Sequence, residues 1–195
     1  MSVNNSYIRD SDILKMVMLE TYKPSKQQQK QLKFLLDILT KCEQENIITW
    51  VLGGYGLDAL YGRLTRDHKD FDLHIYKKDK EKFIEIIKSL GYCHTFEKVG
   101  EVGKEVYKHA DLPNTFSIEL GIIERGQELV RNLGFKLNIP QQPLGNLNGH
   151  SIWTQDLAGF RTIIDINNKL ANKNSSYLHL QWQKEILGAL ETKNV

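Results

Sequence analysis

At 195 residues the chain is long enough for one domain with a core of its own, and its 41% apolar content is that of an ordinary soluble globular protein. A net charge of +2, from 26 Lys and Arg against 24 Asp and Glu, excludes a strongly basic nucleic-acid binder and a polybasic membrane-surface protein. No apolar run reaches membrane-spanning length and the first residues, MSVNNSYIRD, lack the apolar stretch of a secretory leader, so a cytoplasmic protein is expected, with Cys42 and Cys93 as buried, reduced thiols.

In chain order, Ser11 is placed to cap a short amphipathic helix carrying Ile13, Leu14, Val17 and Met18, ended by Pro24. This N-terminal helical extension, residues 1–25, suits either a homodimer face or a cap on the core. A longer helix is predicted over Lys26 to Asn46, with Leu32, Leu35, Leu36, Leu39 and Cys42 on its apolar stripe and a solvated polar start, KQQQKQ. IITWVL, Ile47 to Leu52, reads as a buried strand stopped by Gly53 and Gly54. A short helix, YGLDALYG, follows and is closed by Gly62.

DFDLHIY alternates, with Phe71, Leu73 and Ile75 on one face and Asp70, Asp72, His74 and Tyr76 on the other. A helix capped by Asp79, with Phe83, Ile86, Ile87 and Leu90 facing inward, ends at Gly91. YCHTFEKV and GKEVYKHA form a strand pair, and FSIELGIIE alternates again with Glu119 on its polar face. Between Arg125 and Asn148 the periodicity fades into a loop, NIPQQPLGN, and Asn148-Gly149 is a turn signal. Thr154 begins a helix to about Leu170, and Ser176 caps a last one over Tyr177 to Glu191. The fold class is therefore α/β (α+β): a mixed sheet flanked by helices over residues 26–125, then a loop and a C-terminal helical segment over 126–195.

Three carboxylates carry the chemistry. Asp70 and Asp72 share one strand face, and if the strand bearing Glu119 is a neighbour, all three converge. Like charges so placed repel unless a divalent cation sits between them, and Mg²⁺ suits oxygen ligands shared with substrate phosphates. Upstream, Gly53 and Gly54 lie between a strand and a short helix, where backbone N–H groups can approach phosphate and the helix N-terminus favours anions. Alone, a Gly pair is usually a turn, an alternating Asp pair a strand edge, and Glu119 a solvated residue. Together at this spacing they are the parts that nucleotidyl transfer needs.

The stretch GGYGLDALYGRLTRDHKDFDLHI, Gly53 to Ile75, resembles the nucleotidyltransferase motif of the DNA polymerase β-like superfamily. Its aromatic after the glycines, Asp58 and Ala59, and the TR-H-D-D run are similar to the small aminoglycoside and lincosamide nucleotidyltransferases. The resemblance implies that Asp70 and Asp72 hold Mg²⁺ ions, expected to be two, bridging the phosphates of ATP or another NTP. It implies that Gly53 and Gly54 cradle phosphates, and that Glu119 is the third carboxylate, as general base, metal ligand or both. A Ser commonly follows the second glycine in the superfamily; here it is Tyr55, so a Ser hydroxyl contact to phosphate is missing.

Gly53, Gly54, Tyr55 and Arg66 are the expected nucleotide-binding residues. Arg66 is either a phosphate clamp or the partner of Asp58 or Asp67. His68 is read as ordering the loop, His74 as a structural hydrogen-bonding residue, Asp58 as orienting helix or loop, and Trp153, Trp182 and Tyr177 as helical core positions. The expected reaction passes an NMP, AMP from ATP, to a hydroxyl of a small acceptor such as an aminoglycoside or lincosamide. The alternatives are transfer to an RNA end or a protein hydroxyl, and nucleotide binding without turnover. With no basic stripe interleaved with aromatics, nucleic acid is not the favoured partner.

Overall fold

The protein is described by a computed structural model covering residues 21–99, 102–124, 127–130, 135–170 and 177–193. The helix expected around Ser11, the break NKNSS and the Ser176 cap lie outside the described residues. The elements run α1 (Lys26–Gln44), β1 (Thr49–Val51), α2 (Gly53–Tyr61), β2 (Asp70–Tyr76), α3 (Lys80–Ser89), β3 (Tyr92–Val99) and β4 (Val102–His109). They continue with β5 (Ser117–Glu124), β6 (Gln127–Val130), β7 (Phe135–Asn138), β8 (Gly145–Leu147), β9 (His150–Ile152), α4 (Leu157–Leu170) and α5 (Tyr177–Lys193).

The mixed sheet runs β1-β2-β5-β4-β3, with β6 and β7 added beyond the point where β4 leaves β5, and β8-β9 form a separate hairpin. Only β2 and β5 are parallel, in a register that pairs Asp70 with Ser117, Asp72 with Glu119 and His74 with Gly121. Period-two alternation gives the sheet two chemically distinct faces. Phe71, Leu73, Ile75 and Ile118 are fully buried on the inner face, packed with Leu35, Ile38 and Cys42 of α1 and Phe83 and Ile87 of α3. The outer face carries the acidic residues at one end and an aromatic group, Trp50 with Tyr76 and Trp153, at the other.

Several expectations need correction. The start of α1 is not simply a solvated face: Gln28 and Gln31 are 2% and 1% exposed, in phase with Leu35, Ile38 and Cys42. Cys93 is exposed rather than buried, whereas Cys42 is buried and its thiol is pushed up to about 11 by desolvation. Thr154 does not open a helix. Its hydroxyl donates to the Val51 carbonyl at 2.7 Å, and Trp153 bridges to Trp50 along the free edge of β1. The helix starts at Leu157, where the Asp156 carboxylate accepts from the Gly159 amide at 2.7 Å.

The weak stretch after Arg125 holds four short strands. Two of them, β8 and β9, are joined by Asn148 and Gly149 at φ 52° and 86°, the left-handed pair a type I′ hairpin demands. The C-terminal helices α4 and α5 pack through Phe160, Ile164, Trp182 and Ile186 on Leu57 and Tyr61 of α2. Among the described residues no helix is long and apolar enough to cross a membrane.

Candidate active site

The site is built where α2 meets β2. Gly53 stands at φ +56°, and a Cβ placed on it would lie 1.8 Å from Oδ2 of Asp72. Any side chain there is excluded twice, by backbone conformation and by collision with the carboxylate. A Cβ on Gly54 would lie 2.4 Å from Nδ1 of His68 and 2.7 Å from Nη2 of Arg66. The glycine pair thus brings bare backbone against an acid on one side and a cation on the other. Leu52, the N-cap of α2, gives no side-chain cap. The first intrahelical bond is that of the Gly56 amide to the Leu52 carbonyl, 3.0 Å, so the amides of Gly53, Gly54 and Tyr55 have no acceptor within their own helix. Amides so placed, at the positive end of the helix dipole, suit phosphate.

The strand pairing puts the three carboxylates on neighbouring strands of one sheet face. Asp70 and Asp72 are two apart on the outer face of β2, and Glu119 lies directly beside Asp72 in the parallel register. The ring of His74 lies against the backbone of Gly121, its register partner. Among the described residues no group of three or more His, Cys, Asp or Glu side chains is placed to hold a metal ion. Asp70 and Asp72 are a pair of hard oxygen donors on one strand face. Mg²⁺, which takes one or two carboxylates and fills its remaining positions with phosphate oxygens and water, fits that donor set.

Behind the glycine turn lies a network that the sequence only hinted at. Asp58 is fully buried; it accepts from the Thr65 amide at 3.1 Å and from the Thr65 hydroxyl, and faces Nε2 of His68 at 2.7 Å. Gln28 of α1 accepts from the His68 amide at 2.7 Å and donates through its Nε2 to the Tyr55 phenol. Burial pushes the His68 pKa down, with Asp58 opposing it, so the buried ring is neutral at neutral pH. His68 and Asp58 therefore hold the loop in place, as read from the sequence. The Tyr55 side chain is 1% exposed and stacks at 4.2 Å from the His68 ring, so it supports the loop from behind, and only its backbone amide belongs to the glycine turn.

Arg66 is the cation at this site. Its Nη1 donates to the Asp67 carbonyl at 2.8 Å, and its guanidinium lies over the Trp182 ring, 4.1 Å from the centroid. Nε is buried and meets no acceptor. Burial lowers its pKa while Asp58, Asp70 and Asp72 raise it, and a guanidinium stays charged throughout. Trp182 was expected only as core. It is buried, yet its indole N–H reaches across the chain to donate to Thr65 Oγ1 at 2.9 Å.

The three layers just described, a mixed sheet with acids on its outer face, a glycine-led helix beside them and a helical C-terminal cover, define a nucleotidyltransferase fold. The chain superposes with a TM-score of 0.64 on the antibiotic-resistance factor ANT(2'')-Ia, over 85% of this chain and 87% of that one at 16% identity. On the lincomycin-bound lincosamide adenylyltransferase LnuA the TM-score is 0.55, over 80% and 96% at 18% identity.

Sequence comparison narrows the class. Residues 34–113 match the profile of the aminoglycoside-2''-adenylyltransferase family. A lincosamide resistance protein of Staphylococcus haemolyticus is 29% identical over 87 residues, covering 43% of this chain and 52% of that protein. A 2''-aminoglycoside nucleotidyltransferase of Escherichia coli is 33% identical over 61 residues, 31% of this chain and 34% of that one. The chain thus matches about half or less of the length of these curated relatives, and within that span its resemblance to the small antibiotic nucleotidyltransferases holds.

Proposed function

We propose that the protein transfers a nucleoside monophosphate, AMP from ATP, to a hydroxyl of a small-molecule acceptor of the aminoglycoside or lincosamide type. One observation carries this assignment: the parallel β2-β5 register sets Glu119 beside Asp72, while Gly53 presses the N-terminus of α2 against that same carboxylate. An acid pair, a further carboxylate on the neighbouring strand and the first amides of α2 support the reading. The similarity to relatives named for aminoglycosides and lincosamides supports the acceptor class.

In this mechanism the amides of Gly53, Gly54 and Tyr55 and the Arg66 guanidinium bind the phosphate oxygens and turn the α-phosphorus toward the outer face. Asp70 and Asp72 would hold Mg²⁺, which when bound would neutralise charge on the phosphates. Glu119 accepts the proton of the acceptor hydroxyl. The hydroxyl oxygen forms a bond to the α-phosphorus, the bridging bond to the β-phosphate oxygen breaks, and pyrophosphate leaves. The transfer chemistry falls to residues 26–125, followed by a loop and C-terminal helical segment over 126–195. The setting is cytoplasmic, and a homodimer is tested by sedimentation of the full chain.

The assignment is tested by Asp70→Asn in a titration with ATP and Mg²⁺ and in an assay of pyrophosphate release against aminoglycosides and lincosamides. Loss of Mg²⁺-dependent ATP binding and of release is the expected result. Unchanged binding and turnover in Asp70→Asn contradicts the assignment.

A further inference from the structure

Trp182 belongs to α5, more than a hundred residues beyond the loop it touches, and it makes two different contacts there. Its N–H is committed to Thr65 Oγ1 and its ring face to the guanidinium of Arg66. These contacts use different parts of both partners. A cation over an aromatic ring is held through the face of the guanidinium plane, and its N–H donors all lie at the edge of that plane. The stack therefore leaves the edge of Arg66 available. Of that edge, Nη1 is used by the Asp67 carbonyl, Nη2 lies against Gly54, and the buried Nε–H meets no acceptor. A half-buried cation with an unspent donor, set beside the first amides of a helix whose N-cap has no side chain to offer, is arranged for an anion that arrives from outside.

We infer that Trp182 is a positioning residue for nucleotide binding, and that through it α5 sets the geometry of the phosphate clamp. The indole fixes Arg66 from below by the stack and fixes the Thr65 end of the same loop by the hydrogen bond, so the guanidinium edge is already aimed at the glycine turn before ATP binds. The inference rests on the nucleotidyl-transfer function proposed above. It goes beyond it by assigning a nucleotide-site role to the C-terminal helix, outside the segment that matches the family profile.

The test is a double-mutant cycle on the full chain, read as the dissociation constant for ATP with Mg²⁺ and as kcat and acceptor KM. Trp182→Leu is expected to weaken ATP about tenfold, with kcat and acceptor KM little changed. Trp182→Phe, which keeps an aromatic face, restores most of that affinity. Arg66→Ala weakens ATP at least as much, and the double variant Arg66→Ala with Trp182→Leu is no worse than Arg66→Ala alone. Should the Leu variant fail to fold, tryptophan emission at saturating ATP still decides: ATP should change it in the wild type and leave it unchanged in Arg66→Ala, and an equal change in both overturns the inference. Additive losses, or a Leu variant whose kcat falls and acceptor KM rises as far as its ATP affinity weakens, overturn the inference while leaving the function standing. A wild-type chain that does not bind ATP at all overturns both.

Discussion

Gly53 shows most plainly how a single residue makes this site. Its φ of +56° and the 1.8 Å between its missing Cβ and the Asp72 carboxylate mean that one hydrogen atom is all the position admits. Gly53→Ala is therefore expected to lower stability by about 1–3 kcal/mol, from the left-handed backbone and the forced movement of Asp72. It is also expected to weaken ATP binding, since the displaced groups are those proposed to bind the phosphates. Thermal melting with parallel ATP titration checks this; an alanine variant with unchanged melting and affinity rules the packing out. At this scale the sequence was informative. Asp70 and Asp72 are legible because strand alternation fixes their common face, and Glu119 because its own strand alternates. Gln28 and Trp182 were not read as site residues, because each looked like something more ordinary. Gln28 stood in a polar run and Trp182 in an apolar helix, yet the spacing 28, 31, 35, 38, 42 already put Gln28 on the buried stripe of α1.

At the level of elements, the loop between α2 and β2 behaves as a unit. Asp58 on α2, His68 in the loop, Gln28 on α1 and Trp182 on α5 are tied together across four segments by hydrogen bonds within the buried region. One consequence is a pH dependence. His68 resists protonation in the folded state because it is buried, but takes up a proton in the unfolded chain near its ordinary value of 6.5. Below that pH the unfolded state binds more protons than the folded one, so stability falls as pH falls. The expected slope from this group is at most about 1.4 kcal/mol per pH unit, beginning near pH 6.5 and ending once pH drops through the lowered folded-state value. Urea unfolding at pH 7.5, 6.5 and 5.5 should show this slope in the wild type and a shallower one in His68→Gln. Equal slopes contradict a neutral buried His68. The elements that escaped the sequence are those with too few residues to show a period. Strands β6 to β9 are three or four residues long, and for β8 and β9 the Asn148-Gly149 turn was the one sign available. Thr154 was mistaken for a helix start because a hydroxyl before an apolar run looks the same whether it caps a helix or bonds a neighbouring strand.

On the scale of the whole molecule, three packed layers converge on one patch of the outer sheet face. The inner face of the sheet is held by α1 and α3, which leaves Asp70, Asp72 and Glu119 on the opposite side, and α2 rests on the C-terminal helices that carry Trp182. The α+β class and the order of the larger elements were legible from the sequence because each is long and periodic. The closure of α5 over Arg66 was not, because no local pattern records a contact made across more than a hundred residues. The central claim is that this patch moves AMP from ATP onto an acceptor hydroxyl, and its most direct measurement follows both products in one reaction. The chain is incubated with ATP, Mg²⁺ and each aminoglycoside or lincosamide in turn, and pyrophosphate and acceptor mass are read together. An acceptor heavier by one AMP for every pyrophosphate released is expected, with both signals lost in Glu119→Gln. ATP turned over to ADP and phosphate with the acceptor unmodified, or an AMP-acceptor formed at the same rate by Glu119→Gln, would contradict that claim.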